Sequence, residues 1–138
     1  MAFSGSLEDR AALHELLSAY ADAVNQRDAE AWGALWCEDA VWSLPEESGF
    51  GTVKGREQIV DAWKGAMGYF PDVVFLATMG RIAIEGDRAT MRSYTSETYH
   101  HPETGLPHLD RGQYDDELVK VGPAWKVRSR RFRHLYRG

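Results

Sequence analysis

The chain has 138 residues, a formal charge of −5 at pH 7, and 43% apolar and 27% charged residues, which predicts one soluble domain spanning 1–138. A single cysteine, Cys37, excludes a disulfide framework and a cysteine metal site; it lies beside Leu35 and Trp36, where a buried thiol fits. The acidic balance argues against nucleic acid as a partner, and no stretch approaches the ~20 apolar residues of a membrane span. Met1 to Gly5 shows neither a basic nor an apolar leader segment, so the expected compartment is the cytoplasm.

Ser6 followed by Asp9 offers a helix N-cap, and Leu13, Leu17, Tyr20 and Val24 then recur at helical spacing, so a helix over Leu7 to Gln26 is expected. Asp28 caps a second, short helix with Trp32, Leu35 and Trp36 on one face. Ala40, Trp42 and Leu44 alternate in a strand that Pro45 ends. Glu46 to Lys54 reads as a loop, and Gly55 opens a third helix carrying Ile59, Trp63 and Met67 on one side.

From Asp72 onward the apolar period becomes two. The run VVFLATMGRIAI, a turn at Glu85, Gly86 and Asp87, then RATMRSYTSETYH, a Pro- and Gly-containing loop, QYDDELVKV and WKVRSRRF read as a meander of strands. Helices followed by such a meander predict an α+β fold, with a strongly curved, mostly antiparallel sheet wrapped around the helices. The inward face switches parity across Gly80 and again near Ser129 to Arg131, which predicts bulges at both places. Val119 and Val121 lie opposite Leu118, so one strand is apolar on both faces, and a two-fold homodimer through the outer face of the sheet is expected.

Several side chains could carry chemistry. Tyr20 lies on an apolar helix face, so its hydroxyl must reach either a core partner or a cavity. Tyr114, Asp116 and Leu118 share a strand face; an inward Asp116 is either a desolvated acid or base, or the ion-pair partner of Arg131 on the adjoining strand. His100, His101 and His108 surround a loop but lack a ligand spacing, so no metal is expected, and His100 is the candidate acid or base at a pocket mouth. The basic run from Lys120 to Arg137 reads as the solvated face of a terminal strand. Phosphate-cradling and nucleophile-elbow motifs are missing, and no cofactor is implied.

The segment YADAVNQRDAEAWGALWCEDAVW, the helix GREQIVDAW, the hairpin EGDRATMRSY and the final GQYDDELVKVGPAWKVRSRR together resemble the SnoaL-like family of the nuclear transport factor 2-like superfamily. Relatives include scytalone dehydratase, hexachlorocyclohexane dehydrochlorinase and steroid isomerase. The resemblance implies a cone-shaped fold enclosing a small-molecule pocket. It places Asn25 where the dehydrochlorinase has a dyad aspartate and Phe75, or at most Leu76, where it has the dyad histidine. It places Tyr20 at the oxyanion-stabilising tyrosine of the isomerase, whose general base falls on Leu44. For scytalone dehydratase, Val24, Asn25, Leu44 and Tyr99 stand where proton-moving groups would be.

A pocket walled by Trp36, Trp42, Trp63, Phe75, Met79 and Tyr94, with Asn25, Tyr99, Tyr114 and Arg131 as further contacts, suits a hydrophobic or aromatic small molecule, unless the tryptophans are core filling. The expected function is a cofactor-independent lyase or isomerase acting on a hydrophobic cyclic substrate. Tyr20 would polarise an oxygen, and Asp116 or His100 would move the proton. The alternative is a non-catalytic binding or accessory module that keeps the cone without the dyad. Full pairing of Asp116 and a solvent-facing His100 would remove both of these bases.

Overall fold

The computed structural model describes residues 2–138. Helix α1 (Leu7–Gln26) begins where the Ser6 hydroxyl accepts from the Asp9 amide at 3.0 Å, and it buries Leu13, Leu16, Leu17, Tyr20, Ala23 and Val24. Arg27 ends it in the left-handed region at φ 58, unusual for a residue with a Cβ. Its guanidinium donates to the carbonyls of Val24, Pro71 and Val73 at 2.7, 2.9 and 3.0 Å, tying the end of α1 to a distant loop. Asp28 caps α2 (Ala29–Ala34) through the Ala31 amide.

The chain then enters β1 (Trp36–Ser43), so Trp36 opens a strand rather than sharing the helical face of Trp32. The segment expected as a loop holds a 3-10 turn at Glu46–Ser48 and a short strand β2 (Thr52–Lys54) paired with β1. Helix α3 (Arg56–Tyr69) follows Gly55, whose φ of 89 suits glycine, and Arg56 donates two bonds back to the Trp36 carbonyl.

Four long strands complete the sheet: β3 (Val74–Glu85), β4 (Arg88–His100), β5 (Pro107–Val121) and β6 (Ala124–Arg137). The order is β2-β1-β6-β5-β4-β3, with β1 parallel to β6 and the other neighbours antiparallel. β5 starts before Gln113, so the connection after β4 is short.

Register shifts bend this sheet. One falls at Gly80, as the change of parity there predicts. In β6 the shifts leave out Arg128 and Leu135, so the first comes just before the Ser129 to Arg131 stretch expected from the sequence. Beyond Arg128 the even-numbered residues Arg130, Phe132 and His134 therefore point inward, and Arg131 is exposed. Helices α1 and α3 close over the concave face around Trp32, whose ring stacks on Trp63 at 4.7 Å between centroids.

Candidate functional site

Deep in the concave face, β5 and β6 bring Asp116 opposite Arg130, not Arg131. The guanidinium donates through Nε and Nη2 to both carboxylate oxygens at 2.7 Å, and neither side chain has exposed surface. Burial lifts the Asp116 carboxyl above its ordinary range and Arg130 opposes that lift, while Arg130 itself is held charged by Asp116 against its own burial. The pair is an ion pair walled off from solvent. Its guanidinium is sandwiched between the rings of Tyr20 and Tyr114, 4.2 Å from each centroid. The two phenol oxygens lie 3.5 Å apart, and burial, with Tyr20 next, raises the Tyr114 hydroxyl well above its usual range.

Above these phenols opens a cavity of about 470 Å³. Six of the expected contacts border it: Tyr20, Trp42, Trp63, Phe75, Tyr99 and Tyr114. Phe50, Tyr69, Phe70 and Phe132 add further aromatic wall. Phe132 can lie there because Gly112 has no side chain: a Cβ at that position would stand 2.2 Å from the ring.

Other expected contacts lie elsewhere. Trp36 is wholly buried in the core, Met79 packs against that core, and Tyr94 sits exposed on the outer face over Gly80. Asn25 accepts from the Phe75 amide at 2.7 Å and donates to the Phe75 carbonyl at 2.8 Å, so its side chain is consumed as a backbone clip. Asn25 and Phe75, which the resemblance sets at the dehydrochlorinase dyad, meet through this main-chain contact. His100 is exposed and its Nδ1 lies 2.7 Å from Asp72, away from the cavity. Neither anticipated proton carrier, Asp116 or His100, borders the cavity.

The cavity has an acid that the sequence reading did not single out. Glu97 on β4 faces inward opposite Asp110 on β5, and no side chain among the described residues bonds its carboxyl. The residue is half-buried on the wall of the open cavity; burial, with the Asp110 charge adding to it, pushes its carboxyl up to about 7. Asp110 accepts from the Tyr99 hydroxyl at 2.7 Å, and burial followed by Asp110 raises that phenol. His134 completes the group: its buried Nδ1 has no partner among the described residues, and burial and then Arg137 lower its pKa, which favours the neutral ring. The available signal was the β4 alternation Thr95, Glu97, Tyr99, which puts a carboxyl on the inward face.

The SnoaL-like domain profile matches residues 5–131, nearly the whole chain. The chain belongs to the SnoaL-like domain family. Among solved structures, the SnoaL-like chain is similar to a type 3 hexachlorocyclohexane dehydrochlorinase from Novosphingobium barchaimii at 23% identity, over 96% of this chain and 90% of that one, with a TM-score of 0.85. A scytalone dehydratase-like protein from Novosphingobium aromaticivorans matches at 21% identity over 96% and 87%, TM-score 0.85. An aromatic ring hydroxylase-like protein from the same species matches at 26% over 96% and 93%, TM-score 0.81. These likenesses establish the helix-lined cone with its curved mixed sheet. A search of curated proteins gives no match. Among the described residues, no helix is long and apolar enough to cross a membrane.

Proposed function

We propose that this SnoaL-like protein is a cofactor-independent lyase or isomerase that takes a hydrophobic cyclic substrate into its cone. Glu97 moves the proton, and the Tyr20 and Tyr114 phenols lie beside the position of a substrate oxygen. The observation that carries the reading is an unbonded carboxyl, with a pKa of about 7, set in an aromatic cavity large enough for a small ring system. A group near neutrality can give and take a proton at physiological pH, whereas a paired Asp116 and an outward His100 cannot reach the substrate.

Proton abstraction beside a carbonyl leaves a trace even without net turnover, since the carbon exchanges with solvent. Bicyclic ketones that stabilise the protein in a thermal-shift screen are incubated in D₂O, and deuterium uptake is followed by mass spectrometry. Uptake that Glu97→Gln lowers by about a hundredfold or more is expected from a general base. Bound ketones that exchange no faster than in buffer would sink the enzyme reading. The second reading, a non-catalytic binding module, draws its support from Asn25 and Phe75 at the dyad positions.

The protein is further proposed to form a homodimer through the outer sheet face, where Val74, Leu76 and Tyr94 are exposed. Sedimentation showing a monomer at micromolar concentration would remove that proposal.

A further inference from the structure

We propose that the ligand of this cavity is an aromatic or alicyclic amine, bound as its ammonium cation against Asp110. The inference rests on the reading of the cavity as a ligand site and adds the charge of what enters it. Three carboxyl groups, Glu47, Glu97 and Asp110, border the cavity, and no lysine or arginine does. Glu47 is already neutralised by Arg137 at the mouth. Asp110 is not: Tyr99 occupies its Oδ2, while no side chain among the described residues bonds Oδ1. The cavity-facing, half-buried carboxyl of Glu97, which no side chain among the described residues bonds, stands across from it on β4.

A carboxylate or phosphate entering here would meet like charge in a poorly solvated space, with no cation to receive it. An ammonium would meet Asp110 and the faces of aromatic rings such as Tyr99, Phe70 and Phe132, which attract cations. The apolar body of the same molecule would occupy the space between Trp42 and Trp63.

The bound charge also acts on Glu97. The titratable and charged groups around it are Asp110 and Tyr114 from β5, Tyr99 from β4, His134 and Arg137 from β6, Glu47 from the β1–β2 connection, Tyr20 from α1 and Tyr69 from α3. Arg137 is the sole full cation among these, and Glu47 engages it. An ammonium at Asp110 adds a positive charge on the ligand side and favours the ionised form of Glu97. The Glu97 O–H bond then breaks and its proton leaves to the buffer, so the amine arms the base as it binds.

The test uses isothermal titration calorimetry at pH 7 on the full chain with naphthylmethylamine, naphthylmethanol and naphthoate, in two buffers of different ionisation enthalpy. The amine is expected to bind at least about tenfold more tightly than the alcohol, as for a charge-assisted hydrogen bond, with naphthoate weakest. Amine binding should release protons from wild type and not from Glu97→Gln, and Asp110→Asn should lose most of the amine's advantage over the alcohol. Thermal unfolding of the unliganded variants checks that both fold; if Asp110→Asn does not, the proton-release comparison with Glu97→Gln decides. Equal affinity for amine and alcohol in the wild type overturns the amine inference and leaves the cavity reading standing. Failure of all three compounds to bind removes both. Undiminished amine preference in Asp110→Asn, or equal proton release from Glu97→Gln, contradicts the assigned roles.

Discussion

Two carboxyl groups on the concave face, Asp116 and Glu97, differ in nearly everything but chemistry. Asp116 lies at the bottom of the cone and is spent: a bidentate guanidinium holds it, and two tyrosine rings clamp that guanidinium. Glu97 lies higher on β4, opposite another acid, with no side-chain donor among the described residues. Burial raises both, yet only Asp116 has a cation to hold its charge. Burial alone therefore does not make a reactive acid; burial without a partner does.

The comparison breaks most visibly on substitution. Asp116→Ala leaves Arg130 charged and buried without a counter-ion, and urea unfolding should show a loss of about 3 to 5 kcal/mol, enough to prevent folding. Glu97→Gln should do the reverse. Its carboxyl has a folded pKa of about 7, above the ordinary value of 4.5, so between those values the folded state holds the extra proton. Wild-type stability therefore falls as pH rises from about 4.5 to about 7, and Glu97→Gln should be more stable than wild type at pH 8 by up to about 3 kcal/mol, with little difference at pH 4.5. Parallel stability–pH curves for the two proteins would contradict this.

Gly112→Ala tests the wall between the two sites. The new methyl overlaps the Phe132 ring, and the forced shift should cost about 1 to 3 kcal/mol while narrowing the cavity. Tyr20→Phe should weaken binding of an oxygen-bearing ligand by roughly 1 to 3 kcal/mol, with a smaller effect on folding, because the phenol's one protein partner lies at 3.5 Å. Equal ligand affinity with a large stability loss would make Tyr20 a core residue. His100→Ala, at an exposed contact with Asp72, should change stability by no more than about 0.5 kcal/mol and leave ligand affinity unaltered.

The helices were legible because capping and apolar spacing are local: Ser6, Asp28 and Gly55 mark their starts in the sequence as in the fold. The bulge at Gly80 was legible for the same reason. The partner of Asp116 was not, because it turns on the register of β6 against β5, and a one-residue difference in that register exchanges Arg130 for Arg131. Trp36 misled by standing two residues past a helix whose face it would have shared. Glu97 went unremarked because its character comes from burial in the folded cone and then from Asp110, thirteen positions away and opposite only once the β4–β5 register is known.

The direct measurement is a carbon-13 NMR titration of the glutamate side-chain carboxyls, with Glu97→Gln assigning the resonance. One carboxyl titrating near pH 7 and missing from the variant is the predicted result. If every glutamate titrates in the ordinary range near 4.5, Glu97 is a solvated carboxylate, and the claim that the cone holds an unpaired proton carrier is wrong.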